Sequence, residues 1–247
     1  MENDGDDQNG DAEDEPQMST SDLIDELLTV WRNESFAPEL LPHRFELVDA
    51  VVDVLHGMEQ NMHGARAGNR SKAPSLRVRL HSLELDRIRY LLCSYLRKRL
   101  HKIEKHVHHY VQQDDSQAQQ NSAAAGASQN GDTALPDVRM SEEEQTFARE
   151  YKASLEAHVR TTTLQHLDSR AAAFDFNAVA STPNLEEFVI IRVLKSVDNL
   201  VIRGAVAPGA PVDDGQEEIV DLLVGSVHLL PYKAVAPLLP EKYVELI

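Results

Sequence analysis

The chain has 247 residues, enough for one large domain or two modest ones with a real core. It carries 41 acids against 24 Lys and Arg, a formal charge of −17, and a single cysteine, Cys93, which excludes an internal disulfide and predicts a reducing compartment. No apolar run approaches about 18 residues, and no basic region precedes an apolar core at the N-terminus. The sequence therefore predicts a soluble, intracellular chain with no membrane partner and no secretory signal.

The charge is unevenly spread. Residues 1–30 hold eleven acids and no Lys or Arg, whereas residues 66–105 hold twelve Lys and Arg against three acids. Residues 1–18 have too few apolar groups to offset the entropy of ordering and read as a disordered acidic tail. A first helix starts at Thr20 or Ser21, either of which can cap it, and runs through Leu23, Ile24, Leu27, Leu28 and Trp31. Pro38 and Pro42 stop it, because each disfavours helix at the residue before it. A second helix from about His43 places Phe45, Val48, Val52, Leu55, Met58 and Met62 at helical spacing. Gly64, Gly68 and Pro74 mark the connection to the third.

That third helix is the most informative part. Taking Leu92 as reference and about 100° per residue, Leu85, Ile88, Tyr95, Leu96, Ile103 and Val107 fall on one face. Leu76, Leu80, Leu83 and Tyr90 fall on the opposite side, so the helix needs cover on both. Arg99 lies near the centre of the main stripe and Arg89 at its edge. A guanidinium there needs a carboxylate or a carbonyl, since stranding a buried charge costs about 3–5 kcal/mol. The pattern is that of an interaction helix. It is expected to end near His109 and give way to low-complexity sequence, residues 112–138, read as a flexible insertion.

Ser141 and Glu144 form a capping-box pattern opening a helix with the stripe Phe147, Tyr151, Leu155 and Val159. Residues 168–186 read as a linker with an apolar patch at Phe174 and Phe176. The period then changes. Phe188–Leu194 and Asn199–Gly204 are short β-branched runs separated by a hairpin-like Asp198-Asn199 signal, and Glu217–Leu223 is a third strand. The C-terminus reads as a strand, a proline-bounded turn or short helix, and a final strand. The fold class is α+β: an N-terminal all-helical domain (19–167) followed by a small C-terminal β-rich domain (187–247). About sixty residues fold marginally alone, burying only ~60% of their chain surface, so docking onto something larger is expected.

Catalytic motifs are missing. The sequence has no G-x-x-x-x-G-K-[ST], no G-x-G-x-x-G, no G-x-S-x-G and no CxxC. Cys93 sits mid-helix among apolar residues and reads as a packed cysteine rather than a nucleophile. His101, His106, His108 and His109 offer ligands but no closed set, and read as a solvated helix terminus. The basic 66–105 stretch is a candidate nucleic-acid surface. Arg87 and Arg89, however, each follow an acid by three residues (Glu84 and Asp86), which neutralises part of it.

Four segments carry a resemblance: WRNESFAPELL (31–41), LDRIRYLLCSYLRKRLHKIEKH (85–106), EEEQTFAREY (142–151) and HLLPYKAVAPLLPEKYVELI (228–247). In order and approximate spacing they resemble the Sld-five family of GINS complex subunits, over most of residues 20–247. The polar insertion and the acidic tail are the departures. The resemblance implies a non-catalytic nuclear scaffold with no cofactor or metal. It would be one of four homologous subunits in the GINS heterotetramer, which joins Cdc-forty-five and the MCM ring in the replicative DNA helicase. DNA polymerase, other replisome proteins and DNA itself would be met indirectly. By matching position, Trp31 and Phe36 would anchor the first helix on the long one. Arg87, Arg89, Tyr90, Tyr95, Arg97 and Arg99 would hold the helical domain together and to sister subunits. In the C-terminal domain the corresponding core or interface positions are Tyr232, Tyr243, Val244, Leu246 and Ile247, with the last strand between the β-domain and a neighbour. Charge bookkeeping offers Glu34 and Glu39 as partners for Arg89 or Arg99.

Overall fold

The computed structural model describes residues 19–67, 76–124, 139–166, 174–203 and 217–247. The acidic tail, Gly68 and Pro74, the later part of the insertion and residues 168–173 of the linker lie outside them. Five helices lead: α1 Thr20–Phe36, α2 Phe45–Ala67, α3 Leu76–Lys105, α4 Val107–Ala124 and α5 Glu142–Thr162. The strands β1 Phe188–Val193, β2 Val197–Arg203, β3 Glu217–Leu222, β4 Val227–Pro231 and β5 Val244–Leu246 follow, with the short helix α6 Tyr232–Val235 after β4. The architecture is helical first and β-rich second.

Helix boundaries follow local chemistry with two corrections. Ser19, not Thr20 or Ser21, is the N-cap of α1, and its side chain makes no capping bond. Ala37, the residue before Pro38, turns extended (φ −67°, ψ 136°) and closes the helix at Phe36. The second correction is α4, which continues to Ala124 and so enters the stretch read as irregular. Tyr110 and Val111 tie its first turns to the core, and Asp114 meets Arg149 of α5 at 3.0 Å. Tertiary contacts thus hold a helix that its own apolar period does not announce.

Three apolar clusters organise the chain. Leu27 of α1, Leu47, Val51 and Leu55 of α2, and Leu85, Ile88, Leu91 and Leu92 of α3 form the first. Each side chain of that size contributes about 1.5–3 kcal/mol when fully buried. Ile103, Val107, Tyr110, Val111 and Ala148 form a second with Leu40 and Met140. The third fills the β-domain and includes Ala37 from the helical side.

The sheets correct the hairpin expectation. β1 pairs antiparallel with β4 and β5, in the order β4-β1-β5, while β2 pairs with β3 in a separate two-stranded sheet. Asn199 does take a left-handed φ of 59°, but within β2, where the register shifts between Val197 and Leu200. It is a bulge, with its N–H bonded to Asp221 at 2.9 Å, a conformation Asn tolerates better than most residues.

The β-domain docks on α1 and on the turn that follows it. Leu246 N–H donates to Asn33 Oδ1 at 2.8 Å, Lys242 meets Glu26 at 2.8 Å, and the Tyr232 hydroxyl donates to Glu39 at 2.9 Å. The small domain therefore finds its support within this chain. The last strand lies between β1 and α1, where a neighbour was expected.

Candidate interaction helix and its buried ionic anchor

Helices α1 and α3 run parallel. Trp31 Nε1 donates to Ser94 Oγ at 3.0 Å, and one turn on, Glu34 meets Arg99 and Lys102. Arg99 is 0% exposed and is the largest fully buried side chain among the described residues. Its Nε and Nη2 donate to the two oxygens of Glu144 at 2.8 and 2.9 Å, a bidentate fork. Nη1 donates to Glu34 at 3.2 Å and to the Leu41 carbonyl at 2.7 Å, and Nη2 reaches the Arg139 carbonyl. Lys102 Nζ neutralises the other oxygen of Glu34 at 2.7 Å. Two buried acids thus face two bases.

Burial alone would lower the Arg99 pKa, but Glu144 and Glu34 outweigh it and hold the guanidinium charged far above its ordinary range. Burial would likewise raise Glu144, yet its bonds to Arg99 leave it below the usual carboxylate value. Glu144 also completes the capping box of α5, accepting from Ser141 N–H at 3.0 Å while its own N–H donates to Ser141 Oγ at 3.1 Å. One guanidinium therefore fixes the start of α5, the end of α1 and the turn at Leu41 against α3. The Tyr95 ring lies under it, 5.7 Å from Arg99 Cζ to the ring centre.

A second polar junction sits at the seam between the domains. Glu39 accepts from Arg139 Nη1 and from the Tyr232 hydroxyl, both at 2.9 Å, and Tyr232 is fully buried. Burial and the neighbouring Glu39 carboxylate push the Tyr232 phenol far above its ordinary value. A cavity of about 600 Å³ opens along this seam, lined by Leu41, Leu239 and Val244 among others. Of the carboxylates in its wall, Glu26 is paired with Arg44 and Lys242, Glu39 with Arg139, and Glu34 with Arg99 and Lys102.

The other face of α3 is bare. Leu76, Leu80, Leu83 and Tyr90 are 73%, 57%, 66% and 66% exposed. Cys93 is exposed beside them, not packed as expected. Arg97 is exposed, and Arg87 is half-exposed and paired with Glu84 at 2.6 Å. Arg89 meets Glu59 and Asp86 rather than Glu34 or Glu39. Of the positions named on this helix, Tyr95 and Arg99 point inward and the rest outward. Trp31 packs on α3, whereas Phe36, at the end of α1, is 51% exposed and is not part of that cluster. Val244 and Leu246 are buried in the β-domain core. Tyr243 lies at its edge under Lys195 (Nζ to ring centre 5.3 Å), and half-buried Ile247 donates its N–H to Ile190 at 3.0 Å.

Glu144 was missed as a charge partner because its capping role already explained it. Among the histidines, His106 is buried, with Nδ1 2.9 Å from the Ser181 carbonyl, not solvated. Among the described residues no three His, Cys, Asp or Glu side chains converge on a possible metal, and no helix is long and apolar enough to cross a membrane.

Known families share this division. The family model for the GINS complex protein helical bundle domain, Sld5, matches residues 57–163, and that for the DNA replication complex GINS protein SLD5 C-terminus matches residues 183–247. Over 238 residues the chain is 35% identical to the DNA replication complex GINS protein SLD5 of Xenopus laevis, covering 96% of each. It is 34% identical over 244 residues to the protein of the same name from Bos taurus, covering 98% of this chain and 96% of that one. The Mus musculus counterpart is 34% identical over 243 residues, with the same coverage. The stretch between the two matches, 164–182, falls between α5 and β1, where helices give way to strands. The chain belongs to the SLD5 family of GINS complex proteins.

Proposed function

We propose that this chain is a non-catalytic scaffold subunit of a nuclear GINS heterotetramer. With its three sister subunits it joins Cdc-forty-five and the MCM ring to form the replicative DNA helicase for initiation and fork progression. DNA polymerase, other replisome proteins and DNA are contacted through these partners. The helical domain, 19–167, and the β-rich domain, 187–247, are joined by the 168–186 linker.

The observation that carries this reading is the two-sidedness of α3. Its inner face is locked by the Arg99 node, and its outer face leaves Leu76, Leu80, Leu83 and Tyr90 in water. A row of large exposed apolar side chains along one helix face suits a protein-docking surface. Arg97 and Arg87 flank it and suit the rim of such an interface. The alternative, direct nucleic-acid binding by residues 66–105, is weakened by the same geometry. Arg99 and Lys102 point inward, and Arg87 and Arg89 are paired with acids.

The test is native mass spectrometry of the tagged chain purified from its own nuclei at moderate salt. An equimolar assembly with three other small helical subunits is expected, and Leu83→Glu should deplete it. A monomer, or a species loaded with metal or DNA instead of those subunits, refutes the proposal.

A further inference from the structure

The three-stranded sheet treats its two edges differently. At β5 the edge is closed by α1, where Asn33 accepts the outward N–H of Leu246 at 2.8 Å. At β4 no described residue pairs with the outer edge. The phase of the ladder says which groups are left there. Val193 N–H donates to the Ser226 carbonyl and Tyr232 N–H to the Glu187 carbonyl, while the Ile190 carbonyl turns away from β4 to accept from Ile247. Antiparallel pairs alternate between bonded and non-bonded, so His228 and Leu230 bond inward to β1. Val227 and Leu229 therefore present their N–H and C=O groups to the free edge.

The side chains agree with the backbone. Val227 and Leu229 are 55% and 61% exposed, and their cross-strand neighbours on the same face include Ile190 opposite Leu229. Phe188 extends the patch by one pair, half exposed. Solvent-facing edge strands are ordinarily blunted by lysine, proline or inward charge. Here the only proline is Pro231, at the strand end. Two charged pairs bordering the patch are matched within the chain, Arg192 with Glu245 at 2.9 Å and Lys233 with Glu186 at 3.1 Å. A complement for this surface needs backbone donors and acceptors and alternate apolar side chains, and it needs no charge.

We infer that the β4 edge is a strand-addition site, taken by an extended, uncharged segment of a partner chain with apolar residues at alternate positions. Main-chain bonds to Val227 and Leu229 set its register, and Leu229, Ile190 and Phe188 receive its side chains. The inference rests on the assembly reading above, because a sister subunit supplies the segment.

Residue-resolved hydrogen exchange, on the full chain alone and in the co-expressed four-subunit assembly, tests it. In the free chain the amides of His228 and Leu230 should be protected and those of Val227 and Leu229 open. In the assembly the latter pair should slow by at least roughly tenfold. Leu229→Glu, an exposed position whose change leaves the chain's own core intact, should weaken the assembly at least tenfold while keeping His228 and Leu230 protected. If the assembly forms with Val227 and Leu229 still open, strand addition is refuted and the scaffold reading stands. If no assembly forms, both fall. Protection already present in the free chain refutes the partner: a dependence on concentration assigns the edge to a second copy, and independence assigns it to the chain itself.

Discussion

Arg99→Ala is the most exacting perturbation of this fold. The substitution leaves Glu144 buried without its fork, and leaves Glu34 with Lys102 alone. It also strands the Leu41 carbonyl that Arg99 had satisfied. Removing one member of a buried ionic pair costs about 3–5 kcal/mol, chiefly because the remaining charge stays desolvated. Against a total stability of about 5–15 kcal/mol, that is a large fraction. For a chain of this size about 2–4 °C accompanies each kcal/mol, so the midpoint should fall by roughly 6–20 °C. Lys98, the preceding residue, is exposed, and Lys98→Ala should shift stability by no more than about 0.5 kcal/mol.

Thermal and urea unfolding of the two variants side by side, with the yield of co-purified partners, provides the assay. Arg99→Lys separates charge from geometry: it keeps the positive charge but cannot span Glu144, Glu34 and two carbonyls at once. It should fall between wild type and Arg99→Ala. Equal midpoints and equal yields for Arg99→Ala and Lys98→Ala would refute the reasoning, since they would mean the node carries no net stability.

Other expectations follow from the same contacts. The Glu144 carboxyl is held below its ordinary value of 4.5 in the fold, so its contribution is present above that pH and is lost as pH falls through the depressed folded value. Glu144→Gln should therefore be less stable at neutral pH and show a shallower decline below pH 4.5 in calorimetry across pH; parallel curves would contradict this. Tyr232→Phe removes the hydroxyl bonded to Glu39 and should cost about 1.5–3 kcal/mol, a coupling that vanishes in a Glu39→Ala background, which has no acceptor for that hydroxyl. Unchanged urea midpoints would rule that out. Asn33→Ala should free the Leu246 amide from α1 at a cost of about 1–3 kcal/mol, read as faster exchange at Leu246; an unchanged exchange rate would mean that the bond does not hold the seam.

Helical periodicity made much of this molecule legible, because an apolar stripe at fixed spacing commits a helix face to the core whatever the partners are. The inner face of α3, the burial of Arg99 and the bare Leu76–Tyr90 side all follow from it. Pairing across the fold was less legible. Glu34 could be offered to Arg99 on charge alone, but the bidentate partner is Glu144, some 45 residues away in sequence. Its capping role gave it a sufficient local explanation, and nothing local shows that a cap is also buried. Asn199 illustrates the same limit in strands. A left-handed residue between β-branched runs fits a hairpin or a bulge equally well, and only the β4-β1-β5 pairing decides between them. Phe36 is the last residue of α1, two positions after buried Glu34, and helical periodicity there leaves its ring about half exposed.

The node's chemistry also explains why α3 can serve as a docking surface at all. An apolar core alone tolerates sliding and repacking, because hydrophobic contact is non-directional and volume matters more than orientation. Arg99 contributes direction: its fork is planar, and its acceptors come from α1, the Leu41 turn, Arg139 and α5. Satisfying all of them fixes the rotation of α3 about its own axis, and hence the bearing of Leu76, Leu80, Leu83 and Tyr90 on the opposite side. Assembly defects should therefore arise from Arg99 substitutions that touch no partner, with the loss of affinity accompanied by loss of stability. Defects from Leu83→Glu should leave the stability of the chain unchanged. That split separates the residue that aims the surface from the residues that form it.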